Sequence, residues 1–149
     1  MALSVLSCEY DCVFGISMPT SGLTPPDLHR TFAEGWSFIS IVGKGGKVYW
    51  FFCTKLDRKY HGSEIPRFKR EDIDDHMAPY LNAPITDTVP FAEVYKRAIH
   101  KNWVPLEEAL WKYWCIDRWA CIGDSAHKVR SHWYNEYVSN WRKLSDIPQ

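Results

Sequence analysis

Hydrophobic and polar positions in the first third of the chain predict three β-strands. Segments 9–18 and 47–54 are rich in β-branched and aromatic residues, and the first ends at a proline. Segment 36–42, WSFISIV, alternates large apolar residues with serine, which is typical of a strand with one covered face. The glycine-rich segment 43–47 lies between the last two strands, so we predict a β-hairpin there.

The middle of the chain predicts a surface crossing and two short helices. Segment 55–70 is polar and charged, and we expect it to cross the surface. Segment 71–80 begins with acidic residues that suit the first turn of a helix. Thr88 can cap a second helix over 90–98, which has a proline in its first turn.

The last third predicts two further strands and a helical tail. We expect a turn at 103–105, followed by strands at 108–115 and 118–122. After residue 127, Trp133, Tyr137, Trp141 and Leu144 recur at helical spacing and predict one face of an amphipathic helix. The fold class is therefore predicted as α+β, a mostly antiparallel sheet with short helices.

Composition and charge narrow the function classes. The 149 residues favour one domain, and 18 basic against 18 acidic side chains give nucleic-acid binding little support. The longest apolar stretch, Trp36–Val42, is too short to span a membrane. The N-terminus lacks a basic signal-peptide region, so we expect an intracellular protein, either soluble or peripherally membrane-associated.

Cysteine usage predicts free thiols and no metal site. Five cysteines, an odd number, stand at 8, 12, 53, 115 and 121, and none forms a close CxxC pair. We therefore expect buried thiols in a reducing compartment.

The segment 118–127, RWACIGDSAH, carries the most chemical information. Gly123 has no side chain, so a ligand can approach its backbone closely. Asp124 stands where we expect a helix to begin, and its carboxylate can cap that helix or accept hydrogen bonds from sugar-type hydroxyls. On these residues alone, a simple strand-to-helix cap remains an open alternative.

Residues 123–127, GDSAH, resemble the second FAD fingerprint of the group A flavoprotein monooxygenases, which share the para-hydroxybenzoate hydroxylase fold. Upstream, 10–17, 43–51 and 105–108 look like substrate-domain strands of fungal members. Those members are similar to the monooxygenases of indole-diterpene and meroterpenoid clusters. The resemblance covers most of residues 9–128.

The resemblance implies an FAD-dependent enzyme with NAD(P)H as electron donor. Gly123, Asp124 and Arg118 would contact the flavin, within an FAD-contacting segment at 118–128. Residues 1–117 would form a sheet like that of the family's substrate domain, and 129–149 a divergent tail. No residue is assigned as a catalytic acid or base.

The resemblance also implies an apolar substrate, a prenylated or terpenoid secondary metabolite that is hydroxylated or epoxidised. The expected substrate contacts are Trp36, Phe38, Tyr49 and Phe51. Along the third strand, successive side chains would alternate between the cavity and the back of the sheet.

One departure from the family pattern leaves alternatives open. The chain has no G-x-G-x-x-G motif, and its glycine cluster at 43–46 is expected to be a hairpin turn. The chain would then be a truncated, partial or inactive form of the enzyme. The alternative is a non-catalytic remnant, or a small protein that binds apolar ligands or partners. In either case, exposed sheet edges would favour self-association.

Overall fold

A computed structural model describes residues 6–123 and 127–128. Its main element is an antiparallel six-stranded sheet in the order β2-β3-β4-β1-β5-β8, and β6 and β7 form a separate short hairpin. The strands are β1 Ser7–Ser17, β2 Leu28–Ala33, β3 Trp36–Val42, β4 Val48–His61, β5 Ala98–Leu110, β6 Cys115–Ile116, β7 Trp119–Ala120 and β8 His127–Lys128. The predicted α+β class with a mostly antiparallel sheet is confirmed.

Short helices fill the connection between β4 and β5. They are α1 (Ile73–Met77) and α2 (Phe91–Tyr95). Single 3-10 turns lie at Lys44–Gly46, Gly62–Glu64, Arg70–Asp72 and Ala78–Tyr80. The helices predicted over 71–80 and 90–98 are thus confirmed, although the α-helical part of each is shorter. Among the described residues, no helix has both the length and the apolar character needed to cross a lipid bilayer.

The predicted hairpin between β3 and β4 is confirmed. Its turn is the 3-10 segment Lys44–Gly46, where Gly45 takes a φ of 74°, a conformation that glycine adopts without steric strain. Beyond this turn, Val42 lies opposite Val48 and Phe38 opposite Phe52. Because partners directly opposite each other share one side of a sheet, this register decides which side chains meet.

The two faces of the sheet differ in what lies against them. In β4, Val48, Trp50 and Phe52 are buried beneath the helices, whereas Tyr49 and Phe51 point to the other side and are exposed. We call these the covered face and the open face. The hydrophobic core lies on the covered face and consists mainly of Val13, Phe38, Val42, Val48, Trp50 and Phe52 from the sheet against Ile73, Met77, Phe91 and Val94 from the helices.

Phe91 of α2 holds the centre of this core. Its ring centroid lies 4.9 Å from that of Phe38, 5.2 Å from that of Trp50 and 5.1 Å from that of Phe52. Tilted and edge-on aromatic contacts of this kind add stabilisation beyond the burial of area. Helix α2 therefore covers the centre of this face.

Trp50 fits closely between its neighbours in the sheet. A Cβ atom on Gly15 would lie 2.4 Å from Trp50 Cζ2, so the absence of a side chain at residue 15 makes room for the indole. Trp50 Nε1 donates a hydrogen bond of 2.9 Å to Ser17 Oγ. Ser40, on the opposite flank of Trp50, is equally buried, but its Oγ has no hydrogen-bond partner within the described part of the chain.

Several predicted boundaries are wrong. The segment at 55–70 does not leave the sheet at once, because β4 continues to His61 and pairs with the start of β1. The turn expected at 103–105 is instead the middle of β5. The strand expected at 108–115 ends at residue 110, and the one at 118–122 shrinks to two residues. The predicted tail helix lies outside the described residues.

Candidate substrate-binding face

The open face presents several exposed apolar side chains. Five large side chains from β2, β3 and β4 are between 40% and 56% exposed: Leu28, Phe32, Ile41, Tyr49 and Phe51. Leu28 lies opposite Ile41, which in turn lies opposite Tyr49, so these three side chains form a row across the strands. Large contiguous apolar surfaces are uncommon on folded monomers and mark sites where a ligand or another polypeptide binds.

An aromatic pair extends this surface toward the centre of the sheet. Phe14 of β1 lies opposite Phe51 of β4, with ring centroids 6.2 Å apart. Arg30 lies on the same side of β2 between Leu28 and Phe32, and it is exposed. The open face is thus an apolar and aromatic floor with a positive charge near its β2 edge.

The four side chains predicted to contact the substrate lie on two different faces. Tyr49 and Phe51 are on the open face, whereas Phe38 is 1% exposed within the core. Trp36 shares the covered face and stacks on Phe52 at 5.1 Å. The four side chains therefore do not share one face of the sheet. The reason is the hairpin register, which places even-numbered residues of β3 opposite even-numbered residues of β4.

Sequence reasoning missed several residues of the open face. The sequence predicts a strand around Phe14 but no ligand contact there, and it predicts no strand at β2, which carries Leu28 and Phe32. A signal for β2 was present, because Leu28, Arg30 and Phe32 alternate with His29, Thr31 and Ala33. The mixture of polar and apolar residues on both sides made this alternation weak.

The two described residues predicted to contact FAD lie outside the strands that carry the apolar row. Arg118 is exposed in the turn between β6 and β7, next to Asp117, which has a φ of 52°. Gly123 is exposed with a φ of 57°, and a Cβ added there would meet nothing within 4 Å. Its bare backbone therefore fits the close approach of a ligand. Asp124 lies outside the described residues.

The chain is described again at residues 127 and 128. His127 and Lys128 form β8, which pairs with Leu110 and Ala109 of β5. The helix start expected at Asp124 lies outside the described residues, and at residue 127 the backbone is extended. Pairing with β5 joins this part of the FAD-like motif to the same sheet that carries the open face.

A buried polar cluster lies on the covered face. The Asp11 carboxylate is 1% exposed and accepts hydrogen bonds from both the hydroxyl and the backbone N–H of Thr54. His76 of α1 places its Nε2 at 3.2 Å from Thr54 Oγ1 and 3.6 Å from Asp11 Oδ2. The His76 ring stacks on Trp103 at 4.1 Å, and Trp103 stacks on Phe68 at 4.1 Å.

This cluster fastens α1 to the sheet. Burial, followed by the negative charge of Asp11, raises the pKa of Tyr80 beside it. Because the cluster lies on the opposite side of the sheet from the open face, it does not reach a ligand bound there. Within residues 6–123 and 127–128, no three His, Cys, Asp or Glu side chains group closely enough to hold a metal ion.

Comparison with known proteins gives the following similarities. No protein-family model matches the chain. It is 40% identical over 124 residues to the FAD-dependent monooxygenase BOA8 of Botryotinia fuckeliana, covering 83% of this chain and 16% of the relative. It is 38% identical over 125 residues to cdmI of Talaromyces verruculosus, also an FAD-dependent monooxygenase, covering 84% and 26%. For the FAD-dependent monooxygenase dpchE of Colletotrichum higginsianum, the identity is 41% over 124 residues, covering 83% and 26%.

These similarities confirm the resemblance to fungal FAD-dependent monooxygenases. The chain spans between 16% and 28% of the length of such relatives, so it corresponds to one segment of them. Among solved structures, the tetracycline destructase Tet(51) superposes with a TM-score of 0.53 at 11% identity, covering 82% of this chain and 32% of that one. At that identity, the likeness is one of fold.

Proposed function

We propose that this chain forms the substrate-side sheet of an FAD-dependent monooxygenase that hydroxylates or epoxidises an apolar secondary metabolite, of the prenylated or terpenoid class. The observation that carries the proposal is the open face: a sheet whose one side is packed by helices and whose other side presents exposed aromatic and aliphatic residues. The similarity to the named relatives supports the type of reaction, and the apolar side chains of the open face support an apolar substrate.

The chemistry of the open face suits an apolar substrate. Rings at Tyr49 and Phe51 offer flat contact area, and Ile41 and Leu28 offer aliphatic contacts beside them. Burying apolar surface stabilises a complex by about 25 cal/mol for each Å² removed from water. A ligand of terpenoid type, which has few polar groups, can use that contribution without leaving buried polar atoms unpaired.

The flavin would supply the oxygen-activating chemistry, which no side chain can provide. Within this chain, Gly123 offers exposed backbone with no side chain in the way, and Arg118 offers a positive charge on an exposed turn. We propose that these two residues, together with Asp124, contribute to the FAD site, with NAD(P)H as the electron donor. The role of the chain's own sheet is to hold the substrate and exclude water from it.

A flavin titration tests the cofactor part of the proposal. FAD is added to the chain while flavin absorbance and fluorescence are followed, and we expect a saturable change. Gly123→Val should abolish that change because a branched side chain blocks the backbone and disfavours a positive φ. The matched control is Gly45→Val, which also replaces a glycine of positive φ (74°) with open space around it, but in the β3–β4 turn.

The titration also separates the rival function. An absence of any flavin signal in the unchanged chain would overturn the cofactor proposal. A colourless protein that still binds an apolar probe on the open face would then be a small ligand-binding protein. An equal loss of signal in Gly45→Val would show that the effect of residue 123 is not local.

A further inference from the structure

Two buried cysteines lie opposite each other on the same side of the sheet as the open face. Cys12 of β1 and Cys53 of β4 are direct register partners on adjacent antiparallel strands. Neither forms a disulfide, each is 3% exposed, and their side chains are in hydrogen-bonding contact. This juxtaposition is independent of the residues proposed for substrate or flavin.

The backbone geometry at this pair fits a disulfide. Lys55 N–H donates to Gly35 O at 2.7 Å, on the β3 side of β4, so Cys53, two residues earlier, also directs its N–H away from β1. Cys12 and Cys53 are therefore a non-hydrogen-bonded pair, in which Cα atoms approach to about 4.5 Å. Disulfides form at Cα separations of about 4.4–6.8 Å, so the pair can close with little movement of either strand.

We propose that Cys12 and Cys53 are an oxidisable dithiol, which hydrogen peroxide converts into a disulfide that bridges β1 and β4. Peroxide oxidises one thiol to a sulfenic acid and is itself reduced to water. The second thiol then attacks that sulfur, the S–S bond forms, and a second water leaves. Two thiols and one peroxide thus give one disulfide and two waters.

The reaction is slow at neutral pH and accelerates as the pH rises. Its hydrogen bond with Cys53, followed by burial, raises the pKa of Cys12, so little of the nucleophilic thiolate is present. Below that pKa, the thiolate fraction and hence the initial rate increase about tenfold for each pH unit. Once formed, the bridge fixes the spacing of the two strands that carry Phe14 and Phe51, two positions along from each cysteine.

Cys8 is the matched control within the same chain. It is also buried, and burial raises its pKa to about 11, but its register partners are Tyr60 and Glu107, and its Sγ contacts the Tyr10 carbonyl oxygen at 3.0 Å. The exposed residues Cys115 and Cys121 are first replaced by serine, so that they cannot form bridges between molecules.

The experiment treats this protein with excess hydrogen peroxide, alkylates the remaining thiols with N-ethylmaleimide under denaturing conditions, and maps the products by mass spectrometry. Trypsin releases the peptide 48–55, which contains Cys53. A second protease that cleaves after acidic residues cuts at Glu9 and Asp11, so that Cys8 and Cys12 fall on different peptides. We expect a Cys12–Cys53 linked peptide, alkylated Cys8, and reversal by a reducing agent. The melting midpoint should rise by about 5–10 °C, because the bridge constrains the unfolded chain.

Three outcomes would overturn the proposal: alkylated Cys12 and Cys53 after oxidation, a bridge to Cys8 as the main product, or sulfinic acid at Cys12 without a bridge. Cys8→Ser should keep the linkage, whereas Cys12→Ser and Cys53→Ser should each remove it. The mapping on the protein with all three buried cysteines does not depend on whether these variants fold. When the chain is unfolded in guanidinium chloride, oxidation should no longer favour the Cys12–Cys53 bridge, because only the folded sheet holds these two cysteines opposite each other.

Discussion

Two serines flank Trp50 and differ in one hydrogen bond. Ser17 Oγ accepts from Trp50 Nε1 at 2.9 Å, whereas Ser40 Oγ has no partner in the part of the chain that the structure describes. Both residues are fully buried. Ser17→Ala and Ser40→Ala both remove one buried hydroxyl oxygen beside Trp50. The difference between their effects on the free energy of unfolding therefore measures the cost of leaving the indole N–H without its hydrogen bond.

Ser17→Ala should lower the free energy of unfolding by about 2 kcal/mol, because it leaves Trp50 Nε1 buried without an acceptor. For a chain of this size, that corresponds to a drop of about 4–8 °C in the melting midpoint. Ser40→Ala should stay within about 0.5 kcal/mol of the unchanged chain or stabilise it slightly, since a buried hydroxyl without a partner is itself unfavourable.

The assay is thermal and guanidinium unfolding followed by far-ultraviolet circular dichroism, because eight tryptophans complicate a fluorescence signal. A double-mutant cycle with Trp50→Phe completes the test. In that background Ser17→Ala should be nearly neutral, giving a coupling energy of about 1–2 kcal/mol. Equal destabilisation by Ser17→Ala and Ser40→Ala, or a coupling energy near zero, would refute the reasoning.

Three further predictions concern the packing, the surface charges and the open face. Gly15→Ala should destabilise the fold by about 2–3 kcal/mol in the same melts, because its new Cβ would overlap the Trp50 ring; a loss below 1 kcal/mol would contradict this. Hydrogen bonds, first from the Lys101 ammonium, lower the pKa of Asp74 in the folded protein. The ionised carboxylate therefore stabilises the fold above the pKa of the unfolded chain, near 3.8, and this stabilisation is lost as the pH falls through the lower pKa of the folded state. Asp74→Asn should therefore cost less than about 1 kcal/mol at neutral pH, since the carboxylate is largely exposed, and nothing in acid, where pH-dependent melts of both proteins should coincide. Phe51→Asp should reduce binding of a fluorescent apolar dye and self-association in sedimentation, with little loss of stability; unchanged association would argue against the open face as its cause.

The sequence predicts the central strands well because their signals are local. In β3 and β4, dense apolar residues flank a glycine-rich turn, and the pairing of these strands brings Trp50 and Phe52 into the core. The short helix α2 begins directly after Pro90, which is also a signal from neighbours in sequence, but the predicted cap at Thr88 is wrong because Pro90 is the N-cap and no side chain caps the helix.

The errors arise where tertiary context overrides local signals. Pro105 suggests a turn but lies within β5. Among the described residues, this part of β5 pairs only with β1, because β8 reaches no further than Ala109 and Leu110. Proline is tolerated on such an edge because its missing N–H leaves no partner unpaired. Likewise, the polar end of β4 stays in the sheet because β1 pairs with it as far as His61, which composition does not reveal.

The candidate site was predicted in part for a similar reason. Alternation along β4 identifies two sets of side chains, but it does not say which set lies beneath the helices. That choice depends on Phe91 and the other helix residues, which are distant in sequence. The sequence therefore predicts substrate contacts at Tyr49, Phe51, Trp36 and Phe38 alike, whereas the register puts the first two on one face and the last two on the other.

The alternation along β4 has a consequence for how such a protein can change. Residues 50 and 52 are constrained by packing in the core, whereas residues 49 and 51 are constrained only by what binds to the open face. Substitutions at the second pair can therefore alter molecular preference while the architecture stays intact. A combinatorial library confined to those two positions would sample new binding specificities on an unchanged fold. Natural sequence divergence at the same positions would have the same effect.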